Sequence, residues 1–145
     1  MKEIIDTLQR LRQIRQQGVD QLTSRLASQK QLCQRYETNI KTLNLLTQKI
    51  SLNPQLTSPE ALKNKVSYKK NIRRVIDWQT QEQAMAAIKA KSLQRELVAE
   101  ACKEKTLSLV MEEKQNLWQQ EQDTRQQKEL DGIATQCWLR QRQSK

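Results

Sequence analysis

Residues 51–62 read SLNPQLTSPEAL and hold both prolines of the chain, Pro54 and Pro59. Proline lacks the backbone N–H and clashes with the preceding turn, so nothing else in the sequence breaks a helix as strongly. Ser58, Pro59 and Glu60 form an ordered start signal: an N-cap, a proline at the first helical position, and an acid in the first turn. One helix therefore ends near residue 51, the turn occupies residues 52–58, and a second helix runs from 59 to about 142. So short a connection suits antiparallel neighbours.

The composition agrees. The chain has 145 residues, 36% hydrophobic and 3% aromatic, with no Phe, no His and two Gly. Gln, Lys, Arg and Glu dominate the polar side, and all are good helix formers. Leu, Ile and Val recur throughout, which points away from disorder. The expected fold is all-α: one antiparallel two-helix coiled-coil hairpin over residues 1–145.

Several classes of chemistry are disfavoured. Without His, acid–base catalysis near neutral pH needs a shifted carboxylate or lysine in a closed pocket. Long helices offer little from which to build one, so no enzyme and no cofactor is expected. Cys33, Cys102 and Cys137 are far apart, and no Cys-x-x-Cys or His completes a metal site. They are expected to be reduced, buried or half-buried thiols. No apolar run reaches membrane-span length and the first residues lack a signal-peptide core, so a cytoplasmic protein is expected. The net charge of +10 fits either a solvated helix surface or an acidic partner.

Along helix 1, Ile4, Leu8, Leu11 and Ile14 form one apolar series. A second, from Val19 to Ile50, steps by three and four as a coiled-coil seam does. The phase slips beside Gly18, a point of altered supercoil or softness. Gln29 and Thr47 are polar seam positions, of the kind that weakens a coil but fixes its register. Helix 2 carries Leu62, Val66, Ile72, Val75, Ile76, Ala86, Ala90, Leu93, Leu97, Ala101, Leu107, Met111 and Trp118. Helix 1 would be about 75 Å long and helix 2 about 125 Å. If the chain folds back at residues 51–58, helix 1 starts beside residues 100–110, and the rest of helix 2 overhangs.

Two groups of residues suggest partners. Between Glu60 and Asp77 lie Lys63, Lys65, Lys69, Lys70, Arg73 and Arg74 with no acid among them. Cations are disfavoured near a helix N-terminus, so this run is either a solvated face or a meeting place for an acidic partner. No helix-turn-helix or stacking array accompanies it, which argues against nucleic acid. Of the aromatics, Trp78 and Trp118 are expected to be partly buried against the other helix. Trp138 falls in the overhang beside Leu139 and Arg140, the composition of an interface anchor.

A basic two-helix hairpin with an overhanging C-terminal helix resembles the rotor stalk of rotary ATPases and the FliJ-type proteins of flagellar type III export. FliJ-type proteins carry a Gln-Lys pair near the C-terminus, then an Asp, an Ala and a later Arg. Gln127, Lys128, Asp131, Ala134 and Arg140 match that pattern. The upstream KQNLWQQEQDTRQQ and the LTSPEAL that opens helix 2 are also similar to the family, and the likeness covers nearly the whole chain.

The resemblance implies a central stalk whose joined ends enter the hole of a hexameric export ATPase, promoting ring formation and linking it to the export gate. It assigns Arg12, Arg15, Gln127, Lys128, Asp131 and Arg140 to the ring; Trp138 joins them as the exposed aromatic. It also implies contact with the cytoplasmic domain of the export gate through Asn39, Leu43, Leu46 and Ile50 on helix 1 and Tyr68, Ile72, Val75 and Gln79 on helix 2. Leu46 and Ile50 stand where the family usually has aromatics. Leu43, Ile50 and Ile72 also fit a purely structural seam role. Family members handle empty export chaperones as well, a role to which no residue here is assigned. The implied location is cytoplasmic and peripheral at the inner-membrane export apparatus, with no transmembrane segment. The alternatives are the equivalent stalk of a virulence injectisome, a structural homodimeric coiled coil, and a basic helix that binds nucleic acid or anionic membrane.

Overall fold

The structure, a computed structural model, describes residues 1–50 and 58–144. It is all-helical, built from two long helices packed against each other. Helix α1 spans Lys2–Lys49 and α2 spans Pro59–Gln143. The turn expected at residues 52–58 lies, apart from Ser58, outside the described residues. Ser58 caps α2 as its sequence predicts: its Oγ accepts a hydrogen bond of 3.2 Å from the Ala61 N–H. The chain divides into two units, Met1–Gly18 with Glu100–Lys145, and Val19–Ala99. The division falls beside Gly18, where the apolar phase of α1 slips.

In the Val19–Ala99 unit the helices pack along a regular seam. Leu22, Leu26, Gln29, Cys33, Tyr36, Ile40, Leu43, Thr47 and Ile50 alternate steps of four and three, and all are buried or half-buried. On α2 the matching row is Leu62, Lys65, Lys69, Ile72, Ile76, Gln79, Gln83, Ala86, Ala90, Leu93 and Leu97. Two expected seam residues are displaced from it. Val66 and Val75 are 50% and 42% exposed, and the aliphatic stems of Lys65 and Lys69 cover the seam beside Val66. At Ala86 the small side chain allows close approach, and the Gln29 amide donates a hydrogen bond of 3.0 Å to the Ala86 carbonyl.

In the unit formed by Met1–Gly18 and Glu100–Lys145, the core is Ile5 and Met111, flanked by Leu8, Leu107 and Trp118. Leu11 and Ile14, expected on the seam, are 44% and 63% exposed, and Ile4 is exposed while Ile5 is buried. Arg15, Glu100 and Glu104 take the half-buried positions instead. The phase slip at Gly18 turns the row by one position, so arginines replace leucine and isoleucine at the contact. On α2, Gln122 is the last half-buried residue; residues 123–144 are all exposed.

Two expectations about single side chains are corrected here. Trp78 is 55% exposed rather than packed against α1, because it precedes the seam residue Gln79 by one position and points about 100° away. Cys102 and Cys137 are exposed, not buried or half-buried; Cys33, on the seam, is half-buried. The basic run of residues 63–74 forms no ion pair among the described residues.

Candidate functional site

The residues singled out in the sequence fall into a ring-contact set in the Met1–Gly18/Glu100–Lys145 unit and a gate-contact set in the Val19–Ala99 unit.

In the first, Arg12 and Arg15 are already engaged. Arg12 Nε lies 3.1 Å from Glu104 Oε1, and Arg15 Nη1 lies 3.2 Å from Glu100 Oε2. Moving three residues up α1 moves four residues down α2, which is antiparallel pairing. Lys103 Nζ reaches the other oxygen of Glu100 at 3.4 Å. Partial burial pushes the Glu100 carboxyl up, but hydrogen bonds and positive charge from Arg15 and Lys103 outweigh it and hold the group below its ordinary value of 4.5.

Gln127, Lys128, Asp131, Trp138 and Arg140 are all exposed on the last turns of α2. Gln127 Nε2 donates to Asp131 Oδ1 at 3.1 Å, an i,i+4 bridge that fixes both side chains on one stripe. The Arg142 guanidinium sits 5.3 Å from the Trp138 ring centroid, a cation–π contact at a ring 55% exposed. Leu130, Ile133 and Leu139 are exposed as well, so this stretch presents apolar and cationic surface together. The structure does not bring Arg12 and Arg15 to these residues: Glu104, the partner of Arg12, precedes Lys128 by about 36 Å of helix.

The gate-contact set separates into two rows. Ile72 is 6% exposed, and Leu43, Ile50 and Gln79 are half-buried, so these four belong to the seam. Gln79 Oε1 is buried there without a hydrogen-bond partner. Asn39, Leu46, Tyr68 and Val75 are exposed, each pair seven residues apart on its own helix. The seven-residue repeat puts Asn39 and Leu46 on one stripe and Tyr68 and Val75 on another. Exposed apolar residues continue along α2: Trp78, which the sequence reading placed against the other helix, and Met85 and Ile88, which it missed. Their signal was the seven-residue spacing of Trp78 and Met85, off the seam row.

A family model described as "Flagellar FliJ protein" matches residues 4–143. The chain belongs to the FliJ family. The comparisons with curated proteins and with solved structures find no match. FliJ proteins form a structural or adaptor family rather than an enzyme family, and membership implies a stalk-type role in flagellar export. No helix among the described residues is long and apolar enough to cross a membrane.

Proposed function

We propose that this FliJ-family chain is the non-enzymatic central stalk and adaptor of the flagellar type III export apparatus. One observation supports the reading above others. Helix α2 has 85 residues against 48 in α1, and its residues 123–143 are all exposed. In an antiparallel hairpin, that length overhangs the partner helix. A surface that is sparsely apolar and cationic can sit in a ring lumen without being locked there. The tip would engage the hexameric export ATPase through Gln127, Lys128, Asp131, Trp138 and Arg140, with Arg12 and Arg15 behind it. The exposed row of Asn39, Leu46, Tyr68 and Val75 would meet the cytoplasmic domain of the export gate. The chain would act in the cytoplasm, peripheral to the inner membrane.

ATP hydrolysis by the export ATPase of the same organism, with this protein titrated in, tests the proposal. A shared central stalk stimulates the enzyme and saturates at far fewer than one copy per ATPase subunit. No effect at any ratio would reject it in favour of a structural coiled coil.

A further inference from the structure

The start of α1 is held to α2 partly by charge. Ile5, Leu8, Arg12 and Arg15 step by three, four and three along α1, and Glu100, Glu104, Leu107 and Met111 step by four, three and four along α2. The register of the Arg12–Glu104 and Arg15–Glu100 pairs puts Leu8 across from Leu107 and Ile5 across from Met111. Ion pairs therefore occupy two consecutive layers of this seam, and apolar side chains fill the two layers nearest the terminus. The α1 row from Leu22 to Ile50 has no charged residue.

The two kinds of layer respond differently to their surroundings. The Arg12 and Arg15 side chains are 44% and 42% exposed, so water and dissolved ions reach both pairs. Pairs this exposed add little to stability, and salt screens what they add. Apolar burial is not screened. Parting Arg15 from Glu100 still leaves the carboxylate beside Lys103 Nζ, 3.4 Å from its other oxygen, so opening strands no lone charge there. Leu11 and Ile14 are exposed and lend no grip, and Ile5 is the one buried residue of α1 in this unit. Gly18 ends the segment, and glycine weakens a helix more than any residue but proline.

We infer that Met1–Gly18 is a salt-sensitive strap that opens from α2 as one piece. Its strongest layers lie nearest the terminus and its weakest lie inside them, so the segment does not loosen stepwise from its end. It releases when Ile5 and Leu8 let go. Opening uncovers Leu107 and Met111 and frees Arg12 and Arg15, which the closed strap keeps occupied. An acidic group from outside reaches those two arginines fully only in the open state. This rests on the two ion pairs and the burial pattern, and stands whether or not the stalk reading does.

Amide hydrogen exchange of the full chain, followed residue by residue by NMR at 10 mM and 500 mM sodium chloride, tests it. Amides of residues 6–16 should share one protection level, below that of residues 26–43, and exchange about fivefold faster at the higher salt while the others do not. Arg12→Glu, which sets two acids face to face, should speed exchange of the strap about fivefold at low salt, and adding Glu104→Arg should restore the wild-type rate. Protection that rises steadily inward from residue 2 would mean simple end fraying and overturn the inference. So would a strap as protected as residues 26–43, exchange indifferent to salt, or a second substitution that fails to restore the first.

Discussion

The side-chain amide of Gln29 donates a 3.0 Å hydrogen bond to the main-chain carbonyl of Ala86 on the facing helix, in a site where Gln29 is 8% exposed. A leucine at Gln29 would extend the apolar row and strand nothing, because a helical carbonyl already accepts from its own helix. Gln29→Leu is therefore expected to raise stability by about 1 kcal/mol, and Gln29→Ala to lower it by about the same amount. Thermal unfolding followed by circular dichroism measures both. If the glutamine specifies register, the leucine variant also populates higher oligomers in sedimentation equilibrium.

The Glu100 cluster gives a pH dependence. Its carboxyl is held below 4.5 by Arg15 and Lys103, despite the opposing effect of partial burial. A depressed carboxylate stabilises the folded chain above its unfolded value and loses that contribution as pH falls through the folded value. Glu100→Gln should melt below the wild type at pH 7, and the gap should close below about pH 4.5. A gap that stays constant with pH would remove the electrostatic explanation.

Ile72 and Tyr68 are four residues apart but should respond in opposite ways. Ile72 is 6% exposed, so Ile72→Ala is expected to destabilise by about 2–4 kcal/mol. Tyr68 and Val75 are 52% and 42% exposed, and replacing both with Ala should change stability by less than about 1 kcal/mol. If the gate proposal holds, only the exposed pair weakens binding to the purified gate domain while helicity is retained.

Reversing charge at the end of α2 tests the ring contact. Lys128→Glu with Arg140→Glu alters two exposed side chains with no ion-pair partner among the described residues, so helicity should stay unchanged. ATPase stimulation should be lost. Stimulation equal to the wild type would reject the assignment of this tip.

Both glycines lie within helices and neither has a positive φ. A Cβ at Gly132 would meet nothing within 4 Å, and one at Gly18 would reach only Glu100 Oε2, at 4.0 Å. Gly132→Ala and Gly18→Ala are each expected to stabilise by about 0.5–1 kcal/mol, read from thermal melts.

The two helices were legible because their boundary is written in strong local signals, Pro54, Ser58-Pro59-Glu60 and the three-four step of the α1 seam. The α2 seam was harder to read. Its row passes through Lys65, Lys69, Gln79 and Gln83, so hydrophobicity alone diverts the trace to Val66 and Val75. The same happens at Leu11 and Ile14, where the contact is made instead by Arg12 and Arg15 with Glu104 and Glu100. Ion pairs between helices leave no periodic mark in one sequence. Trp78 was misplaced for a related reason: an aromatic one position off the seam looks like core until the phase is known. The exposed end of α2 was visible as the gap between Trp118 and Leu130, where the sequence has no apolar residue, while the cation–π pairing of Arg142 with Trp138 needed coordinates.

The bareness of residues 123–144 also makes them a natural reporter of occupancy. Arg125, Lys128, Arg140 and Arg142 stand on a stretch of helix that no other described residue packs over, where local opening would expose the main chain. A protease that cuts after basic residues would trim this end of the free protein long before it reached the packed seam. Whatever encloses the end would erase that difference, so the order of cleavage alone distinguishes an empty tip from a filled one.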